Sequence, residues 1–217
     1  MDLKFTWKDF LHWAIAVLSC TLGVSLCTKA SFGLSMIAAV PYTIHLWLRE
    51  AAPWYTQGTS EYFFQALLLL FICLVVRRFR WKYLLSFGTG VICGFCIDGW
   101  LWLLGGNGPY ELLWVRILAF AVGVTITGLA LALFFRTSWP LQVYELAVSE
   151  ISDRFGWKLE KVKLANDLIY LALAVALSLL CTGTLTGAGV GIGTVLITFV
   201  NAPLMTLFGK ILDKLKL

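Results

Sequence analysis

The chain has 217 residues, of which 60% are hydrophobic and only 13% charged. A water-facing domain carries about 25% charged residues, so this composition excludes an ordinary soluble fold and, with its long apolar runs, indicates an all-α polytopic membrane protein. The net charge of +5 is then a topology signal and not a nucleic-acid footprint, so no nucleic-acid partner is expected.

In chain order, Met1 to Asp9 is a short amphipathic lead with Lys4 and Lys8. Phe10 to Cys27 has the basic front and apolar middle of a signal peptide. Its apolar part is too long for one, however, no small-x-small cleavage site follows, and further spans come later; the stretch predicts a first transmembrane helix. Leu34 to Leu48 is apolar but short, with Pro41 in its middle. At about 1.5 Å per residue it falls short of a hydrocarbon core of about 30 Å, so it is expected to be re-entrant or interfacial. Residues 49–60 read as a polar, Trp-rich loop. Tyr62 to Val76 predicts the second span, followed by the basic cluster Arg77 to Lys82, and Tyr83 to Leu104 the third. Gly105 to Pro109 is a turn by its Gly and Pro content. Leu113 to Phe135 predicts the fourth span, and residues 138–155 a second short element carrying Glu145, Glu150, Asp153 and Arg154. Leu164 to Cys181 predicts the fifth span. A Gly/Thr-rich turn leads to the sixth, Val190 to Phe208, and the tail from Lys210 is basic.

Charge sets the orientation. With six crossings and the Arg77–Lys82 cluster in the cytoplasm, both termini are cytoplasmic, and of the 17 basic residues only Lys29, Arg49 and Arg116 fall outside. That bias follows the positive-inside rule. Counting 34–48 as a full span would move every later loop to the other side and split the charges.

The two short elements are preceded by similar stretches. Lys29-Ala-Ser-Phe-Gly-Leu-Ser35 closes the first span and Arg136-Thr-Ser-Trp-Pro-Leu-Gln142 the fourth, matching Lys29 with Arg136, Ser31 with Ser138, Phe32 with Trp139 and Gly33 with Pro140. Phe87-Gly-Thr89 and Ile192-Gly-Thr194 form a second match, each expected to open a span. The chain thus reads as a single membrane domain, 1–217, of two repeats, 10–104 and 113–208. Each repeat has three crossings, an odd number, so the second is expected to be inverted. Inverted repeats with interrupted short segments at matching positions point to a transporter-type site. The alternative is that small residues merely serve helix packing.

Gly23-Val-Ser-Leu, Lys29-Ala-Ser-Phe-Gly-Leu-Ser35, Gly189-Val-Gly-Ile-Gly-Thr194 and Asn201-Ala-Pro203 resemble the YitT/YczE group of bacterial membrane proteins, the second half more closely than the first. The resemblance covers most of the chain and implies an integral protein of the bacterial cytoplasmic (inner) membrane whose function is largely unassigned. Members often have Pro-Trp-Asp after the position of Ser35, where this chain has Met36-Ile-Ala38, so no role of that aspartate carries over.

Polar residues inside apolar runs are costly in lipid and are functional candidates. Glu145 follows the Pro140 break with Gln142 nearby, Asp98 lies in the third span, and Asp167 opens the fifth. These three are the candidates for proton or cation coupling. Each also has a plainer reading: Glu145 on a solvated face, Asp98 at an interface marked by Trp100 and Trp102, Asp167 paired with Lys163 one turn earlier. Gln65 occupies a place in the second span similar to that of Asn166 and Asp167 in the fifth. Lys29, Ser31, Ser138, Gln142 and Asn201 are the candidates for solute contacts. Lys29 and Arg136, beside helix N-termini beginning at Ser31 and Ser138, would suit a carboxylate or other small anion, or simply anchor span ends. Gly33, Pro140, Gly193 and Thr194 are expected helix-break and packing positions.

The six cysteines lie in or at the edges of spans and form no disulfide framework. Cys93-x-x-Cys96 lacks the second thiol pair that a redox relay needs, and neither His12 nor His45 has metal-ligand spacing to it. No cofactor or metal is expected. No nucleophile elbow, zinc-protease motif or phosphate loop occurs, so the chain is expected not to be an enzyme. The reading that results is a transporter or permease for a small polar, even anionic, solute, with the two broken segments meeting near a central cavity. Its alternatives are a substrate-capture subunit of a modular importer, docked through faces such as Gly123-x-x-x-Thr127, and a membrane scaffold. A homodimer is left open.

Overall fold

The computed structural model describes residues 7–106, 108–184 and 189–214, and among the described residues every regular element is an α-helix. They run α1 (Trp7–Ala30), α2 (Met36–Leu48), α3 (Gln57–Val76), α4 (Trp81–Leu103), α5 (Leu113–Phe134), α6 (Val143–Phe155), α7 (Leu159–Thr182) and α8 (Ile192–Lys214). The first six residues, Asn107, positions 185–188 of the Gly/Thr-rich turn and the tail beyond Lys214 lie outside the described residues. Six helices, α1, α3, α4, α5, α7 and α8, are long and apolar enough to cross a membrane, as expected of a multi-pass membrane protein. The two short elements are α2 and α6, 13 residues each, or about 20 Å long.

Several helices begin earlier than the apolar runs do. α3 starts at Gln57 and not at Tyr62, because Thr56 is extended (φ −75, ψ 172) and its hydroxyl accepts from the Thr59 N–H at 3.0 Å. That N-cap satisfies a donor that the first helical turn would leave orphaned, and it draws the polar stretch Gln57 to Glu61 into the helix. α7 likewise starts at Leu159, so Lys163 and Asp167 both lie on it. α4 starts at Trp81, which places Phe87-Gly-Thr89 two turns inside, whereas Ile192-Gly-Thr194 does open α8.

The helices form two compact units. One comprises Met1–Ser35, Cys96–Trp139 and Gly191–Leu217; the other comprises Met36–Phe95 and Pro140–Val190. In the first unit, α1 and α5 cross closely. A Cβ on Gly23 would lie 2.8 Å from the Gly123 carbonyl oxygen, and one on Gly123 would lie 2.9 Å from that of Gly23. Small residues let helix backbones approach this closely. The Gly123-x-x-x-Thr127 face, expected to dock a partner, is therefore occupied within the chain. After α1 the backbone turns through left-handed Ser31 (φ 55) and Gly33 (φ 113). There the Phe32 carbonyl accepts from the Gly193 N–H at 2.8 Å, and Gly33 packs against Thr194, whose hydroxyl accepts from the Gly191 N–H.

In the second unit, both short helices lie against α3 and α7. Pro41 of α2 has no N–H to give, but its carbonyl accepts from the Ser60 hydroxyl of α3. α6 packs Val143, Leu146 and Ala147 on Leu69, Ile72 and Val76 of α3 and on Tyr83 of α4. The Pro140 carbonyl, before α6, accepts from the Thr89 hydroxyl at 3.0 Å. The outer side of α3 is left apolar and exposed at Leu67, Leu70, Phe71 and Leu74, as a lipid-facing side would be.

Candidate functional site

The buried face of α3 in the second unit is polar where a membrane helix should be greasy. Gln57, Ser60, Glu61 and Gln65 are all buried there. Glu61 and Gln65 are four residues apart and so share a face; the Gln65 carboxamide donates to Glu61 Oε1 at 3.2 Å and to Gln142 Oε1 at 3.4 Å. Its own oxygen accepts from the Val143 N–H at 3.2 Å, which satisfies one of the orphan donors at the start of α6. Gln142 Nε2 in turn reaches Cys93 Sγ of α4 at 3.2 Å. The chain of contacts depends on Gly90, since a Cβ there would run into the Gln65 carboxamide. Gln65 thus ties α3 to α6 and fixes where the first turn of α6 stands.

That turn presents Tyr144 and Glu145, and α7 meets it with Lys163, Asp167 and Tyr170, spaced to share one face. The rings of Phe64, Tyr144 and Tyr170 pack pairwise at centroid distances of 5.8–6.2 Å. The Tyr144 hydroxyl faces the Glu61 carboxyl. Tyr170 is 4% exposed, and its buried hydroxyl and Glu145 Oε2 have no hydrogen-bond partner among the described residues. The phenol of Tyr170 is within electrostatic reach of Glu145, Glu61 and Asp167. Burial pushes the Glu145 carboxyl above its ordinary value, Asp167 adds to the rise, and its backbone contact and Lys163 partly oppose it. Polarity runs inward: Lys163 is exposed, Asp167 and Glu145 are partly buried, and Glu61 and Tyr170 are buried. Such an arrangement can take up a proton or a cation, because like carboxyls in a dry site resist carrying both negative charges.

The other acid of α6 is different. Glu150, 3% exposed, receives the Tyr83 hydroxyl at 2.7 Å, pairs with Lys82 and lies 3.5 Å from Arg80. Burial alone would raise its carboxyl, but the bonds to Lys82 and Tyr83 and the charges of Lys82 and Arg80 outweigh this and hold it below the ordinary value.

Of the residues expected to form a site, the second unit brings together Gln142, Glu145 and Asp167. The others lie in the first unit. Lys29 is buried, donates to the Gly106 carbonyl at 3.0 Å and sits over the Tyr110 ring at 4.9 Å. Arg136 bonds the Gly209 carbonyl at 2.8 Å and pairs with Asp213. Arg116 bonds the Ala30 and Ser31 carbonyls at 2.7 and 3.1 Å. Lys29 and Arg116 thus sit on backbone carbonyls at helix ends, which is where cations are favoured, while Arg136 sits on a carbonyl inside α8. Ser31 and Ser138 are exposed, Asp98 is partly buried, and Asn201 has a buried Oδ1 with no hydrogen-bond partner. Glu61, Tyr144 and Tyr170 are the members that sequence reasoning missed, the two tyrosines because nothing in an apolar helix marks them out. The signal for Glu61 was Thr56 followed three residues later by Thr59, a polar helix start hidden in a loop-like run.

The chain belongs to a family described as being of unknown function (DUF6198), which matches residues 7–210. It is 25% identical over 208 residues to an uncharacterized protein of Bacillus subtilis (strain 168), YyaS, a match covering 94% of each chain. No solved structure matches it.

Proposed function

We propose that this member of the DUF6198 family is a proton- or cation-coupled transporter of a small polar solute. The observation that carries the reading is the buried cluster of Glu61, Glu145, Tyr144 and Tyr170, in which Glu145 Oε2 and the Tyr170 hydroxyl have no hydrogen-bond partner among the described residues. Unpartnered polar groups within a membrane protein are expensive, and intramembrane acids mark ion and proton pathways.

The two-repeat reading supports it. The interrupted elements α2 and α6 are equally long. The packing pairs α2 with α7 and α3 with α6, and also α2 with α3 and α6 with α7, so exchanging the halves exchanges each pair for another. We read α2 and α6 as re-entrant and the halves as inverted, with the cluster beside the α6 break. We read the protein as lying in the bacterial inner membrane with both termini cytoplasmic, a reading that the charge bias supports. The homodimer stays part of this proposal.

Reconstitution into liposomes holding a pH-sensitive dye tests the reading. Under an imposed pH gradient, at least one solute of a broad polar panel should speed the collapse of the gradient, and Glu145→Gln should abolish that effect. A panel without any response would refute transport. Tight binding in detergent together with that silence would make the protein a capture subunit.

A further inference from the structure

We propose that Glu61, Glu145, Tyr144 and Tyr170 form a binding site for a small protonated amine, which enters the site as one proton leaves it. The inference rests on the transport reading and deepens it by naming the substrate class.

Charge argues for a cation. The groups facing Glu145 are Glu61 of α3, Tyr144 of α6, and Lys163, Asp167 and Tyr170 of α7. Counting Glu145 itself, three of these six groups are acids, and the single base among them, Lys163, is at the exposed end. His45 of α2 is engaged elsewhere, on the Tyr55 carbonyl at 2.8 Å. The basic groups that would favour an anion, Lys29 and Arg136, bond carbonyls in the other unit.

The unpartnered atoms argue for a ligand that donates N–H bonds. Glu145 Oε2 and the Tyr170 hydroxyl oxygen are buried acceptors without a donor among the described residues, and Tyr170 is under 5% exposed. An –NH₃⁺ head carries three donors and is attracted to the ring faces of Phe64, Tyr144 and Tyr170. Among the described residues no group of three or more His, Cys, Asp or Glu could hold a metal ion. The charge balances: with one shared proton the Glu61–Glu145 pair carries one negative charge, and after the amine displaces that proton the pair and its ligand again carry one.

The test is proton release from the purified full-length chain in weakly buffered detergent near pH 7, read with an indicator dye. Ethylammonium chloride should release up to about one proton per chain, and sodium chloride at equal ionic strength should release none. Tetramethylammonium, which has no N–H, should bind more weakly. Glu61→Gln and Glu145→Gln should each abolish release. Tyr170→Phe, which keeps the ring, should preserve it but need about tenfold more ethylammonium. Thermal unfolding checks that each variant folds, and Glu145→Gln carries the test should Glu61→Gln not fold. Equal release by sodium, or no release by ethylammonium from a folded wild type, overturns the inference. The liposome assay separates the two levels. A pH-gradient response to neutral or anionic solutes with none to ethylammonium defeats the amine site and leaves transport standing; a response to nothing defeats both.

Discussion

The two acids of α6 have opposite surroundings. Glu150 has a phenol and two basic groups around it, whereas Glu145, five residues earlier, has a buried oxygen with no hydrogen-bond partner among the described residues. One end of the helix is an anchor. The other presents a group whose needs the fold does not meet, and in a membrane protein such a deficit is where ligand or proton chemistry belongs. The same contrast separates the units, since Lys29, Arg116 and Arg136 of the first all end on carbonyls.

The sharpest way to break this comparison is at the anchor. Glu150→Ala should cost about 2 kcal/mol, toward the low end for a charged, buried partner because Lys82 and Arg80 are about half exposed and can turn to water. Denaturant-titrated unfolding followed by tryptophan fluorescence measures it. Because the folded Glu150 carboxyl is held below its ordinary value, its contribution is complete above that value and fades as the pH falls through the folded one. The margin of wild type over the variant should therefore narrow in acid; a margin that widens would remove the ion pair from the account. A smaller loss, about 1–2 kcal/mol, is expected for Gln65→Ala by the same titration, since it leaves the Val143 N–H and the Glu61 carboxyl without their partner.

The smallest effect has the opposite sign. The folded Glu145 carboxyl is raised by burial, so ionisation works against folding, and that penalty grows as the pH rises from the ordinary carboxylate range through the folded value. Glu145→Gln should thus stabilise the protein by about 1 kcal/mol at pH 8 and by almost nothing in acid, while removing coupled transport, as functional groups often exchange stability for activity. Unfolding curves at both pH values decide this, and a variant less stable than wild type at pH 8 would make Glu145 a structural residue.

Much of the architecture was legible in the chain. The six apolar runs, the two short elements and the break before each follow from hydropathy, length and the placement of Gly and Pro, because lipid demands long helices with their backbone bonds closed internally. Glu145 and Asp167 were legible as candidates for the same reason: an acid in an apolar run stands out. Glu61 did not stand out, because Gln57 to Glu61 has the composition of a loop and only the Thr56 cap, a matter of backbone angles and one hydrogen bond, makes it helix. Nor did the sequence reveal that Lys29 and Arg136 sit on carbonyls or that Gly123 packs on Gly23, since both depend on partners about 75 to 100 positions away. The chain by itself determined which segments are helical and apolar, a local property of each stretch. Which polar groups find partners and which are left wanting was decided only when distant helices packed, because hydrogen bonding is settled by distance and angle in space.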